Sequence, residues 1–249
     1  MSTSDKVLSI LGLFSLEQSE WTVEQAAQAI GQPVSTTYRH FAVLAKAGLI
    51  DSLRPGRYVL GPAAIQLDWL IRQTDPLLSA AQPAMKFLPG AVDRPVVVLL
   101  CRSYRDQVMC IDQASAGNPT FAPSYQRGRL MPLARGAASK IILATLSDRA
   151  KKSLQARHGK EFAAAGLGTN WTELRASLAA IRDAGVSVTQ GEVDEGLIGI
   201  AAPILIAEGT PLGSVSYVIS NDKASQQTVE QLSRMLKSAA AQITASLIG

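Results

Sequence analysis

Residues 22–48 read TVEQAAQAIGQPVSTTYRHFAVLAKAG. Thr22 followed by Gln25 has the spacing of a capping box, in which each side chain satisfies the other residue's orphan amide. Val23, Ala26, Ala27 and Ile30 then give a short helix one apolar face. Gly31 ends it, because the tight turn that follows wants a positive φ. Pro33 sets up a second helix over about Ser35 to Ala47, with Val34, Thr37, Phe41 and Leu44 as its inward stripe. Ala26 is small where two helices would cross closely. Two short helices around a Gly-containing turn predict a helix-turn-helix.

The flanks extend that unit. Upstream, Val7, Leu11 and Phe14 fall on one stripe and predict an amphipathic helix over Val7–Leu16. A secretory signal fits less well: Asp5 beside Lys6 leaves no positive n-region, and no A-x-A site follows. Downstream, Gly48 closes the second helix, and Leu49–Leu60 reads as a hairpin turning at Pro55-Gly56. Helix, helix-turn-helix and hairpin make a winged helix-turn-helix. The inward stripe turns Ser35, Thr36, Tyr38 and Arg39 outward at the start of the second helix. There, side chains reach base edges and free amides suit a phosphate. Arg54 and Arg57 on the wing suit backbone phosphates or the minor groove. A packing module that never meets DNA has the same pattern, and the basic wing argues against it. His40 reads as a partly buried structural histidine rather than a DNA contact.

The chain has 249 residues, 47% of them apolar, 18% charged and 5% aromatic, which excludes a disordered or fibrous chain and predicts an aliphatic core. The formal charge is +4, and the pI is about 9.2. Its placement tells more than its size. Residues 1–34 hold one Lys against four acidic residues, whereas residues 35–57 hold four basic residues against one acid. The basic face is therefore one helix plus a wing, with few phosphate contacts per subunit, and tight DNA binding should need at least a dimer. Two cysteines, Cys101 and Cys110, cannot make a disulfide framework or a four-ligand zinc site, and two reduced thiols are expected. No apolar run approaches the 18 residues of a membrane span, so no membrane association is expected and the protein is expected in the cytoplasm.

Beyond Gly61-Pro62, residues 63–74 (AAIQLDWLIRQT) predict a helix whose apolar surface suggests packing against a partner subunit. Asp75-Pro76 breaks it. Leu77–Leu88 reads as a helix interrupted at Pro83. Two strands flank a turn at Ser103–Asp106, and one helix runs from Gly136 to about Arg157. Asn170 or Thr172 caps another helix reaching Asp183. Strands over Gly185–Gln190, Leu197–Ala207 and Leu212–Ser220 are joined by turns at Gly191–Gly196 and Glu208-Gly209. A last helix covers about 225–247. Helices around hairpin-connected strands predict an α+β fold with an antiparallel sheet flanked by helices.

Three ordered segments behind the winged helix-turn-helix carry a family resemblance: RYVLG at 57–61, MPLARGAASK at 131–140 and AGVSVTQGEVDEGLIGIAAPI at 184–204. Over essentially its whole length the chain resembles the IclR family of bacterial transcription regulators. The resemblance implies a DNA-binding domain over 1–61, a linker helix over 62–75 and a GAF-like effector-binding domain over 76–249. It also implies a homo-oligomer, dimer or tetramer, on palindromic double-stranded DNA operators, with no cofactor. The family's DNA-contacting motif maps onto Ser35, Thr36, Tyr38 and Arg39; Thr22, Arg54 and Arg57 complete the candidate DNA face.

For the effector, the resemblance places a carboxylate on the backbone amides of Gly136 and Ala137. A helix N-terminus without bulky side chains is independently a sound anion cradle. Met131, Arg135, Thr189, Gly199, Ser216 and Val218 complete the candidate effector-binding set. Thr189 stands where an Asp can occur in the family, Gly199 where a Cys can and Val218 where a Ser can. Arg135, Gly136 and Ser139 also replace more typical residues. These departures predict a larger, more apolar pocket, with Arg135 as a cation for the ligand. Cys101 and Met109 read as core packing rather than pocket lining. The implied effector is a small organic acid bulkier than glyoxylate, aromatic acids included.

The function implied is a ligand-responsive transcriptional regulator, repressor or activator, of a catabolic operon. The alternative is a sensor of the same fold that has lost operator binding. An enzyme is a distant third. Neither His40 nor His158 has a metal-spaced partner, and no catalytic fingerprint is present. Ser139 and Lys140, being consecutive on a helix, do not face each other.

Overall fold

The computed structural model describes residues 3–206, 210–222 and 224–248. The chain divides into two compact units, Met1–Asp75 and Pro76–Gly249.

In the first unit, α1 (Thr3–Ser9) leads through a 3-10 turn (Leu11–Leu13) to α2 (Val23–Ile30) and α3 (Val34–Lys46). β1 (Ile50–Arg54) and β2 (Arg57–Leu60) form an antiparallel wing, and α4 (Ala63–Thr74) follows. The capping box forms as its residues dictate: Gln25 N–H donates to Thr22 Oγ1 and Thr22 N–H to Gln25 Oε1. Gly31 closes α2 at φ +64°. Ile10, Trp21, Ala26, Phe41, Leu44 and Ile50 make the core, with Phe41 edge-on to Tyr58 at 4.9 Å between ring centres. Turn residue Gly56 has φ +72°, which after Pro55 suits a type II geometry.

Two expectations fail here. The helix expected over Val7–Leu16 ends at Ser9, whose hydroxyl donates to Lys6 O. Gly12 is a poor helix former, and the Leu13 carbonyl is taken by the Trp21 indole N–H at 3.0 Å. Val34, expected on the inward stripe of α3, is 47% exposed, because the helix starts there and turns it outward.

The second unit is a six-stranded antiparallel sheet between helices. Its strands are β3 (Val96–Tyr104), β4 (Gln107–Ala116), β5 (Leu130–Pro132), β6 (Ser187–Gln190), β7 (Leu197–Leu205) and β8 (Pro211–Ser220). Their order is β5-β4-β3-β8-β7-β6, and every pairing is antiparallel. The two-residue period of a strand sends Val96, Val98 and Leu100 to one face and Val97, Leu99 and Cys101 to the other. The first face packs on α5 (Pro76–Gly90) and α9 (Gln226–Ile248). The second packs on α6 (Ala137–Thr145), with α7 (Asp148–Ala164) and α8 (Trp171–Ala184) outside it. Trp171 is half-buried at the start of α8, with Lys152 5.0 Å from its ring centre.

Three further differences have physical reasons. The helix expected from Gly136 to Arg157 is two. Thr145 Oγ1 bonds back to the carbonyls of Ile141 and Ile142, and Ser147 caps a new helix by accepting from Ala150 N–H. Pro83 does not interrupt α5. It lies on the exposed side, where water can serve the carbonyl its missing N–H abandons, while Leu77, Ala81, Ala84, Met85 and Leu88 anchor the buried face. β5 is a short extra strand on the edge of the sheet. The turn expected at Glu208-Gly209 lies outside the described residues. Among the described residues no helix is long and apolar enough to cross a membrane.

Candidate functional site

Each unit holds its own candidate site. In the first, α3 begins after Pro33 with no side-chain cap and no acid in its first turn. Its earliest amides have no preceding turn to bond to and are oriented outward. Ser35, Tyr38 and Arg39 are exposed and Thr36 half-exposed around that end, while Thr37 and His40 are buried. Thr37 Oγ1 donates to Pro33 O, which fixes the turn into the helix. His40 is 6% exposed, and its Nδ1 has no partner among the described residues. Arg54 and Arg57 are exposed beside the wing turn. Arg57 lies 3.7 Å from Glu20, an exposed pair that a phosphate can readily replace. Thr22 is committed to its helix cap rather than left open.

In the second unit, Gly136, Ala137, Thr189, Gly199, Ser216 and Val218 line one cavity between the sheet and the N-terminus of α6. Strand register explains their meeting. Thr189 stands opposite Gly199, and Gly199 opposite Val218. Ser216 stands between Ala201 and Leu99. Gly136, at φ +81°, caps α6. A methyl group there would sit 3.0 Å from both Tyr125 and Val193, a tight fit added to a backbone conformation that favours glycine. The Ser216 hydroxyl is 2% exposed as a residue and has no partner among the described residues. An unsatisfied buried hydroxyl costs about 1–3 kcal/mol, and a ligand that bonds it recovers that cost.

The cavity is tight beside Gly199. A β-carbon on Gly199 would lie 3.2 Å from Thr189 Oγ1 and 3.3 Å from the Ala137 methyl, so these neighbours have already closed over the glycine. The cavity has about 40 Å³ in which a water molecule can move. That is room for a few waters rather than a drug-sized ligand.

Two expected residues lie elsewhere. Met131 is a buried core residue on β5, 7% exposed. Arg135 is exposed and lines a surface cleft with Pro132, Glu161, Ala165 and Glu192. Its guanidinium donates to the Glu192 carbonyl oxygen. The φ of +81° at Gly136 separates Arg135 from the helix face that looks into the cavity. Cys101 packs in the core in register with Cys110. The neighbouring Cys110 thiol and burial hold the Cys101 thiol well above its ordinary range.

Sequence reasoning missed the opposite wall, made by Pro123, Tyr125, Glu192, Val193, Asp194 and Leu197. The Tyr125 hydroxyl donates to Arg135 O at 2.9 Å and lies 2.6 Å from Ser139 Oγ. Burial pushes it well above the usual phenol range. Glu192 Oε2 accepts from Gly136 N–H at 3.2 Å, and its Oε1 accepts from Lys140 Nζ at 2.5 Å. Asp194 accepts from both the amide and the hydroxyl of Ser124. The Gly191-Glu192 pair in the sequence was the available signal. Its partners lie more than fifty residues away, beyond any local pattern.

The family model "IclR helix-turn-helix domain" matches residues 3–53, and "Bacterial transcriptional regulator IclR C-terminal" matches residues 72–245. A comparison with curated proteins gives no match. Among solved structures, a candidate IclR transcriptional regulator from Silicibacter sp. TM1040 has a TM-score of 0.81 at 18% identity, over 100% of this chain and 97% of its own. An IclR homologue from Microbacterium hydrocarbonoxydans, complexed with 4-hydroxybenzoate, has a TM-score of 0.76 at 22% identity over 99% of both chains. An IclR transcriptional regulator from Alicyclobacillus acidocaldarius has 0.77 at 21% identity over 98% of both chains.

Proposed function

The chain belongs to the IclR family of bacterial transcriptional regulators, and on that basis we propose that it controls a catabolic operon by sensing a small aromatic carboxylic acid. The observation that carries the sensing half is the cavity. A helix N-terminus, the Thr189 side chain and the Ser216 hydroxyl, without a partner among the described residues, converge on one cavity backed by apolar side chains. In this reading the Ala137 amide and the positive end of α6 hold the carboxylate. Ser216 bonds the acid, and Leu99, Val193 and Val218 surround the ring. The likeness to a homologue complexed with 4-hydroxybenzoate supports an aromatic acid.

On DNA, the exposed start of α3 enters the major groove, with Ser35, Thr36, Tyr38 and Arg39 nearest the bases, and Arg54 and Arg57 of the wing hold phosphates. The exposed apolar helix α4 joins two copies, matching a palindromic operator. The protein acts in the cytoplasm and carries no catalytic step.

Two measurements test this. Calorimetry with 4-hydroxybenzoate, benzoate, aliphatic acids and the corresponding amides should show binding of aromatic acids; binding of uncharged ligands alone overturns the effector assignment. Mobility shift on DNA flanking the protein's own gene should show Arg39→Ala binding at least tenfold more weakly than wild type. Unchanged affinity would instead favour a sensor that no longer reads an operator.

A further inference from the structure

The turn of residues 191–196, between β6 and β7, carries three acidic residues, and two of them, Glu192 and Asp194, reach in opposite directions. Glu192 reaches to α6, where it accepts from the Gly136 amide and the Lys140 ammonium. Asp194 reaches to Ser124, accepting from its amide at 2.9 Å and its hydroxyl at 2.5 Å. Ser124 lies between Pro123 and Tyr125, and Val193 lies between the two carboxylates; all three of these neighbours line the cavity. One turn thus straps together the helix N-terminus and the segment that forms the outer wall.

Glu192 does more than close a wall. Its carboxylate already occupies the cap amide of the helix end that a ligand carboxylate would use. The next amide, Ala137 N, sits 3.8 Å from where a Gly199 β-carbon would be, on the cavity side. Two carboxylates on one helix turn share a fixed partial positive charge and repel each other. Lys140 adds a condition. It is only 7% exposed, and an unpaired ammonium there would be costly. Whatever displaces Glu192 must therefore bring a negative charge to the same place.

We propose that Glu192 is a tethered internal anion that competes with the effector carboxylate for the N-terminus of α6. It thereby sets the charge requirement of the ligand and couples binding to release of residues 191–196 and of the Ser124 segment. A neutral ligand of the same shape cannot replace Glu192 without stranding Lys140. The small volume of the cavity gives the release a purpose: with room for only a few waters, it takes an aromatic ring only when the strap lets go. The inference rests on the reading of the effector as a carboxylic acid.

The test uses the full-length protein and two isosteric variants, Glu192→Gln and Asp194→Asn. Hydrogen exchange by mass spectrometry without ligand should show residues 191–196 and 117–126 exchanging several-fold faster together in either variant, with α9 unchanged. Asp194→Asn leaves the Lys140 pair intact and serves if Glu192→Gln does not fold. Calorimetry should show Glu192→Gln binding 4-hydroxybenzoate about tenfold more tightly than wild type, with 4-hydroxybenzamide unaffected. Faster exchange confined to the substituted turn, or carboxylate binding unchanged or weakened in Glu192→Gln, overturns the proposal. If no variant binds either probe, the aromatic-acid reading falls, and the exchange result alone decides the strap.

Discussion

Ser216 is the residue where burial and chemistry disagree most openly. Its neighbours across the sheet, Leu99 and Ala201, are apolar, and its hydroxyl has no partner among the described residues. Replacing it by alanine removes an unsatisfied group and little volume. Ser216→Ala should therefore raise the ligand-free stability of the second unit by about 1 kcal/mol, a rise in melting temperature of about 2–4 °C. The same change should weaken binding of the acid. Calorimetry in the two states checks both signs; a destabilised Ser216→Ala would mean that the hydroxyl is satisfied after all. Thr189, Gly199, Ser216 and Val218 were legible through the family resemblance, and strand register brings them to one cavity. Glu192 and Lys140 were not, because their contact spans 52 residues and follows from how the turn folds back.

At the level of elements, the break between α6 and α7 has a use that one long helix would lack. It frees α7 to run along the surface until Arg157 and His158 meet Asp106 in the turn between β3 and β4. Arg157 donates to both Asp106 oxygens, and the two His158 ring nitrogens lie 3.0 Å from Asp106 and 3.2 Å from Glu161. The Asp106 and Glu161 carboxylates hold the His158 pKa above its ordinary value. His158 and Arg157 hold the Asp106 carboxyl below its own. The histidine's contribution is complete below about pH 6.5 and fades as the pH rises through its elevated value. The aspartate's is complete above about pH 4 and fades as the pH falls through its depressed one. The clamp is therefore strongest at about pH 4–6.5, and at this exposure it is worth roughly 0.2–1 kcal/mol. The stability lost in His158→Gln, measured by urea unfolding, should be largest near pH 6 and shrink as the pH rises through the raised His158 value. A constant difference would show that the ring acts by packing alone.

The break itself was hard to read. Apolar residues predominate from Ala137 through Leu146, and competition from Thr145 and Ser147 for backbone groups ends the helix. Pro83 misled in the opposite sense, because a strong apolar face outweighs one lost hydrogen bond on the solvent side.

For the molecule as a whole, α4 has apolar side chains on all sides and no buried residue. Ile65 is 75% exposed and Trp69 60%. So much contiguous apolar surface calls for a partner. Trp69→Glu should shift the protein towards monomer in sedimentation and weaken operator binding without altering effector affinity. A dimer of undiminished stability would place the interface elsewhere. The winged unit, the helix broken at Asp75-Pro76 and the antiparallel sheet were all readable from periodicity and capping residues. The closeness of the cavity was not. Glycine at position 199 suggested space, whereas the Thr189 hydroxyl and the Ala137 methyl stand close beside it.

The three tryptophans fall in three surroundings. Trp21 is sealed in the core of the first unit, Trp69 stands exposed on α4, and Trp171 lies half-buried beside the Lys152 ammonium. The intrinsic fluorescence of this chain is accordingly a set of three separable reporters. A blue shift from Trp69 would report the proposed association through α4, a red shift from Trp21 melting of the helix-turn-helix, and a change at Trp171 movement in the second unit. Variants that keep one indole each would let a single spectrometer follow all three events without a label.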